Sequence, residues 1–187
     1  MDAIQLLKTR SSNGKLTDPA PDADTLRLAL EAAARSPDHA GLKPWRVSFV
    51  RGAAREQLGD LLAGALKRAE PDADQDDLEK ARRKAFRAPL VIVVGAVVRE
   101  HRKVPDVEQV LAAGAAAHAI LLTLHARGYA AIWRTGAPAY DPEVKRAFGL
   151  EARDALVGFI YAGTAKQAAP SLNRPAPEEF ASEWSGR

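Results

Sequence analysis

A chain of 187 residues, 47% hydrophobic and 27% charged, is long enough to bury one core and reads as a single domain over residues 1–187. Its net charge of +3 mixes both signs, as where Arg82-Arg83-Lys84 follows Asp76-Asp77 and Glu79, which excludes the single-signed stripe of a non-specific nucleic-acid binder. With no cysteine, there is no disulfide, thiolate nucleophile or cysteine-held metal.

Residues 2–9 read as a short helix with Ile4, Leu6 and Leu7 on its apolar side, followed by the polar turn Arg10-Ser11-Ser12-Asn13-Gly14-Lys15 and the rigid linker Asp18-Pro19-Ala20-Pro21. A second helix, capped by Asp24, runs through Leu26, Leu30 and Ala33 until Pro37 stops it. The loop from Pro37 to Pro44 leads into a strand, Trp45 to Val50. Helices are expected at about 53–68 and 74–86, then a strand buried on both faces from Leu90 to Val98, a β-branched run. Asp106 opens the longest helix, with Val107, Val110, Gly114, Ala117, Leu121 and Leu124 as its apolar stripe and Gly128 as its end. A strand at Tyr129 to Trp133, a short helix at Pro142 to Phe148 and a strand at Leu156 to Ala162 follow. Residues 170–187, with Pro170, Pro175 and Pro177, form an extended C-terminal tail ending in Phe180 and Trp184. This order predicts an α+β fold: a four-strand, mostly antiparallel sheet flanked by helices.

The stretch Val110 to Leu124 is short, alanine-rich and contains His118, so it reads as a buried helix rather than a membrane span. The opening Met1-Asp2-Ala3-Ile4 lacks the basic stretch and apolar run of a signal peptide, and the expected location is cytoplasmic. Abundant alanine with few aromatics (6%) favours close helix packing, including packing between subunits.

Several motifs are excluded. No two glycines lie two positions apart, so no G-x-G dinucleotide fingerprint exists, and neither a Walker A loop nor a G-x-S-x-G elbow is present. Asp72, Asp74 and Asp76 start like a calcium loop, but Asp77 and Arg83 occupy positions that need Gly and Glu. His118 and His125 share no third ligand of suitable spacing, so no metal is expected.

Three polar loops remain. Arg10-Ser11-Ser12 sets an arginine fork beside hydroxyls, a combination that holds phosphate through charge-assisted hydrogen bonds. Arg35-Ser36-Pro37-Asp38-His39 and Lys43-Pro44-Trp45 form a loop braced by proline at both ends. Trp133-Arg134-Thr135-Gly136 lies at a strand exit, where ligand crevices of sheet proteins commonly form.

Together these loops resemble the nitroreductase family. "LLKTRSS" is similar to its Arg-x-Ser phosphate motif, and "ARSPDHAGLKPWR" to its Ala-Pro-(variable)-Gln-Pro-Trp segment, with Lys43 where Gln is common. "GYAAIWRTGA", "KAFRAPLVIVV", "HRKVP" and "VGFIYAGT" resemble its small bacterial branch. The resemblance implies an intertwined homodimer with FMN in each of two interface pockets, NADH or NADPH as co-substrate, and a nitroaromatic, quinone or related small acceptor reduced by ping-pong turnover. It implies that Arg10, Ser11 and Ser12 hold the phosphate and ribityl end, and that Arg35 and His39 reach the same flavin from the other chain or its boundary. Trp133, Arg134 and Thr135 would line the ring, a main-chain N–H of that turn facing N5, and Arg174 would add a tail contact to phosphate. Lys15 is a candidate for the O2 side, where a cation stabilises charge on the reduced ring. No side-chain general acid is assigned. The alternatives are another FMN reaction on the same fold (enone reduction, dehalogenation, flavin fragmentation) and a flavin-storage protein without turnover.

Overall fold

The computed structural model describes residues 2–169 and 173–186. Helix α1 (Ala3–Thr9) starts where the Asp2 side chain accepts from the amides of Ile4 and Gln5. Helix α2 (Ala23–Ala33) is capped by Asp22, whose carboxylate accepts from Thr25 N at 2.7 Å, two residues before the expected Asp24. Asp24 instead lies in the first turn, where its charge suits the positive helix end. Helices α3 (Ala54–Ala69) and α4 (Gln75–Arg83) follow, with a tight turn at Lys84–Phe86. Helix α5 (Asp106–Ala126) spans 21 residues and α6 (Pro142–Ala147) six.

The four anticipated strands are present as β2 (Trp45–Arg51), β3 (Leu90–Ala96), β4 (Ala130–Arg134) and β5 (Ala155–Ala165). A fifth, β1 (Leu16–Thr17), forms where the sequence reads as turn and linker. Two residues are too few to show a period, and the strand exists because β5 offers it an edge. Every pairing is antiparallel: β2 with β3, β3 with β5, and β4 and β1 side by side along the far edge of β5. All seven residues of β3 are buried, as its continuous apolar run predicts for a central strand. Between Val94 and Gly95 the register with β5 shifts by one residue, a bulge that leaves Val157 without a partner across the ladder.

Strand alternation sorts the core into two layers. Val91, Val93, Phe159 and Tyr161 pack with Leu58 and Leu62 of α3. Leu90, Ile92, Val94 and Ile160 pack with α5 and with Leu26 and Ala29 of α2. Helix α5 is long and apolar enough to cross a membrane by length and composition alone, yet Ala113, Ala116, Ala117, Ile120 and Leu124 are buried in this second layer, so it is the core helix. Of the expected stripe, Ala117, Leu121 and Leu124 are buried, while Val107 is 61% exposed. The helix is apolar on almost every side, so its sequence carries no direction for the inward face.

In the tail, Pro177–Glu179 form a single tight turn, and Phe180 and Trp184 are exposed. Pro170 lies outside the described residues.

Candidate functional site

Asn13 organises the first loop. It is buried; its backbone N–H donates to Ala131 O of β4 (3.0 Å), its amide donates to Gln167 O (2.8 Å), and its amide oxygen accepts from Lys15 N (2.9 Å). The loop is thereby pinned along the free edge of β4. Arg10, Ser11 and Ser12 are half-buried beside it. Gly14 lies under the Arg134 side chain: a Cβ there would stand 3.4 Å from the guanidinium. The fold therefore brings the Arg10–Ser12 loop together with the exit of β4.

Trp133 points to the opposite face of β4 from Arg134. Its indole Nε1 donates to Val157 O at 3.2 Å, the carbonyl set apart by the bulge. This close seat depends on Gly158, where a Cβ would overlap the indole nitrogen and come within 2.9 Å of Arg134 O. The far edge of the ring rests on α5 at Gly114. Trp133 is thus a fixed plate between the sheet and the long helix.

Beyond the β4 exit is a cavity of about 710 Å³, bounded by Leu62 and Leu66 of α3, by Arg134, Thr135, Gly136 and Pro138, and by Phe159 and Tyr161 of β5. Lys84 and Arg87 enter from the turn after α4, and Glu70 stands on the rim. Among the described residues Lys84, Arg87 and Arg134 form no ion pair with any carboxylate. Burial pushes the Tyr161 phenol above its usual range, while the nearby Arg87 and Arg134 pull it down. A pocket of this size with an apolar floor and a few converging polar groups suits a small organic ligand, and three unpartnered cations select an anionic one. Reading the sequence alone misses Lys84, Arg87 and Tyr161. Their convergence is tertiary, and their local signal is that of a solvated helix end and a core strand.

Arg35 and His39 lie elsewhere. His39 Nδ1 is 2.7 Å from Glu108 Oε2 in the first turns of α5, whereas Thr9 Oγ1, beside Arg10, meets His125 Nε2 at 3.1 Å near the other end. Glu108 and His125 are separated by about 25 Å along the axis at 1.5 Å per residue. Within one chain, then, His39 stands toward the opposite end of α5 from Arg10, and Trp133, resting at Gly114, lies between them. Arg35 is exposed and forms no ion pair among the described residues, and Arg174 is exposed in the tail. Lys15 is exposed and Lys43 holds a left-handed backbone, φ 51°.

An all-antiparallel sheet flanked by helices is neither a Rossmann nor a P-loop fold, both of which are built on parallel strands. The family is settled by comparison: the profile of the nitroreductase family matches residues 7–164, and the chain belongs to that family of oxidoreductases. It is 40% identical over 182 residues to the Escherichia coli (strain K12) protein named "Putative NAD(P)H nitroreductase YdjA", covering 96% of this chain and 98% of that one. Among solved structures it resembles a nitroreductase-like family protein from Bacillus cereus (TM-score 0.85, 24% identity, 100% and 97% of the two chains). It also resembles a nitroreductase in complex with FMN from Desulfovibrio desulfuricans (TM-score 0.71, 26% identity, 98% of each chain).

Proposed function

We propose that this protein is an FMN-dependent oxidoreductase of the cytoplasm, working as a homodimer, that moves reducing equivalents from NADH or NADPH to a nitroaromatic, quinone or related small acceptor. The observation that carries the reading is the meeting, at the β4 exit, of an arginine–serine loop with a cavity holding three unpartnered cations. The FMN-bound structure and the NAD(P)H relative described above support the choice of ligands.

The residues present fit a flavin mononucleotide. Arg10, Ser11 and Ser12 offer guanidinium and hydroxyl donors to a phosphate, and the Asn13 pin holds them still beforehand. Arg174 is a second cation for the same group, delivered by the tail. The turn Arg134-Thr135-Gly136 offers main-chain N–H groups toward the ring, and Trp133 fixes the angle of that turn from behind. Arg134, Lys84 and Arg87 line the cavity with positive charge, which would favour the anionic reduced form of a flavin held there. FMN itself supplies the hydride-accepting and hydride-donating chemistry. Arg35 and His39 would complete the site from the paired chain.

The deciding experiment is the absorbance spectrum of the purified protein before and after NADPH under nitrogen, followed by addition of a nitroaromatic. A flavin spectrum that bleaches with NADPH and returns with acceptor is expected. A colourless protein that gains no flavin absorbance on addition of FMN removes the proposal, and a yellow protein that neither NADPH nor NADH bleaches favours storage.

A further inference from the structure

The His39–Glu108 contact, at 2.7 Å, is the shortest made by any histidine among the described residues. An ionised carboxylate only accepts, so for a neutral imidazole this contact favours the tautomer with the proton on Nδ1 and Nε2 left as the acceptor. The backbone that carries His39 is held independently. Asp38 spends one carboxylate oxygen on Leu42 N (3.2 Å) and the other on Lys43 N (2.7 Å), and its carbonyl accepts from Gly41 N (3.2 Å). Ala40 and Lys43 both have left-handed backbones (φ 62° and 51°), which non-glycine residues keep only where the surroundings over-determine them. Beside the pair is a hollow of about 270 Å³ walled by Pro37, Leu111, Ala112 and Ala115, with Asp38 and Glu108 as its charged members. A rigid loop, a single ring orientation and an open notch are the arrangement of a side chain held ready for a ligand.

We propose that Glu108 is a positioning residue: its carboxylate holds the His39 imidazole with the proton on Nδ1, so that Nε2 is the atom offered to FMN across the paired chains. The ligand in this inference rests on the flavin reading above; the tautomer does not.

The first measurement is therefore independent of flavin. Full-length protein labelled with nitrogen-15 histidine, in alkaline buffer, shows by long-range proton–nitrogen correlation which ring nitrogen is protonated, with His39→Asn identifying the signal. Nδ1–H is expected in the parent and in Glu108→Gln, whose amide oxygen still accepts, and a shift to Nε2–H in Glu108→Ala. An Nε2 proton in the parent, or an Nδ1 proton that survives in Glu108→Ala, overturns the assignment. The second measurement is FMN titration. Glu108→Ala is expected to weaken binding about ten-fold, as loss of one oriented hydrogen bond does, with most of it restored in Glu108→Gln and no further loss when added to His39→Ala. Additive losses overturn the positioning role. A parent protein with the expected tautomer that binds no FMN overturns the flavin reading and the ligand named here. Glu108→Gln, which keeps the bond, guards both measurements against a variant that fails to fold.

Discussion

On the side of the sheet that faces α3, aliphatic side chains close over one another beside the cavity, and the charged groups are paired away from it. Leu58 and Leu62 are buried against Val91 and Val93, and Arg68 grips Asp141 through two bonds of 2.8 Å. On the side that faces α5, the packing between the sheet and α2 is equally dry, but the outward surface is apolar and uncovered. Val107 and Leu111 of α5 and Ile4 and Leu7 of α1 are all more than half exposed. The first half is covered by α3 apart from Phe86, Tyr140 and the cavity mouth, and the other keeps a patch of apolar area of the kind that marks an interaction surface. The candidate site residues divide along the same line: the cavity with Lys84, Arg87 and Tyr161 belongs to the first half, and His39 borders the other.

The largest test of this contrast is Leu58→Ala. A buried leucine in a closed layer leaves a cavity, and about 2–5 kcal/mol of unfolding free energy should disappear in urea titrations. Leu111→Ala, on the open side, should change an isolated chain by under about 0.5 kcal/mol while lowering a melting temperature that depends on protein concentration. Equal, concentration-independent losses in the two variants would erase the distinction between the halves.

Arg10→Ala probes the boundary between them. Losing a charge-assisted contact to phosphate should weaken FMN binding roughly ten- to a hundred-fold, whereas Arg102→Ala, at an exposed position after β3, should leave it unchanged. Matching affinities in a flavin titration take Arg10 out of the site.

Gly158→Ala sharpens the role of the Trp133 seat. The added methyl collides with the indole nitrogen and the Arg134 carbonyl, and overpacking of this kind costs about 1–3 kcal/mol. A blue or red shift of tryptophan emission should accompany the lowered urea midpoint; an unchanged spectrum would mean that Trp133 does not depend on this glycine.

Asp141→Ala is expected to cost about 1–2 kcal/mol, because the residue caps α6 through Glu143 N and Val144 N as well as meeting Arg68. The Arg68 hydrogen bond, set against burial, holds its carboxyl below the ordinary value of 3.8. Its stabilisation is therefore complete above that value and lost as pH falls toward the depressed one. Acid titration of the variant should show a shallower loss of stability in this window than the parent shows.

Much of this architecture is legible in the residues. The runs at Leu90 and Leu156 give β3 and β5, and Asp106 marks the start of α5, because burial on both faces and a charged helix start both leave local patterns. The loops at Arg10 and Trp133 are legible as polar punctuation, and their adjacency is not, since it depends on Asn13 reaching Ala131 across more than a hundred residues. The choice of Asp22 over Asp24 as cap turns on backbone angles that two nearby aspartates do not reveal. The direction of α5 is hidden for the opposite reason: a helix apolar all round satisfies every orientation.

Asn13 has spent its main-chain donor, its amide hydrogens and its amide oxygen on three separate segments: β4, the stretch after β5, and its own loop. It behaves as a surveyor's peg, measuring the distance from the end of α1 to the sheet in whole residues. The run from Thr9 to Lys15 therefore has no spare length, whereas the exposed stretch between α3 and α4 carries no such mark and is free to drift in size over evolutionary time.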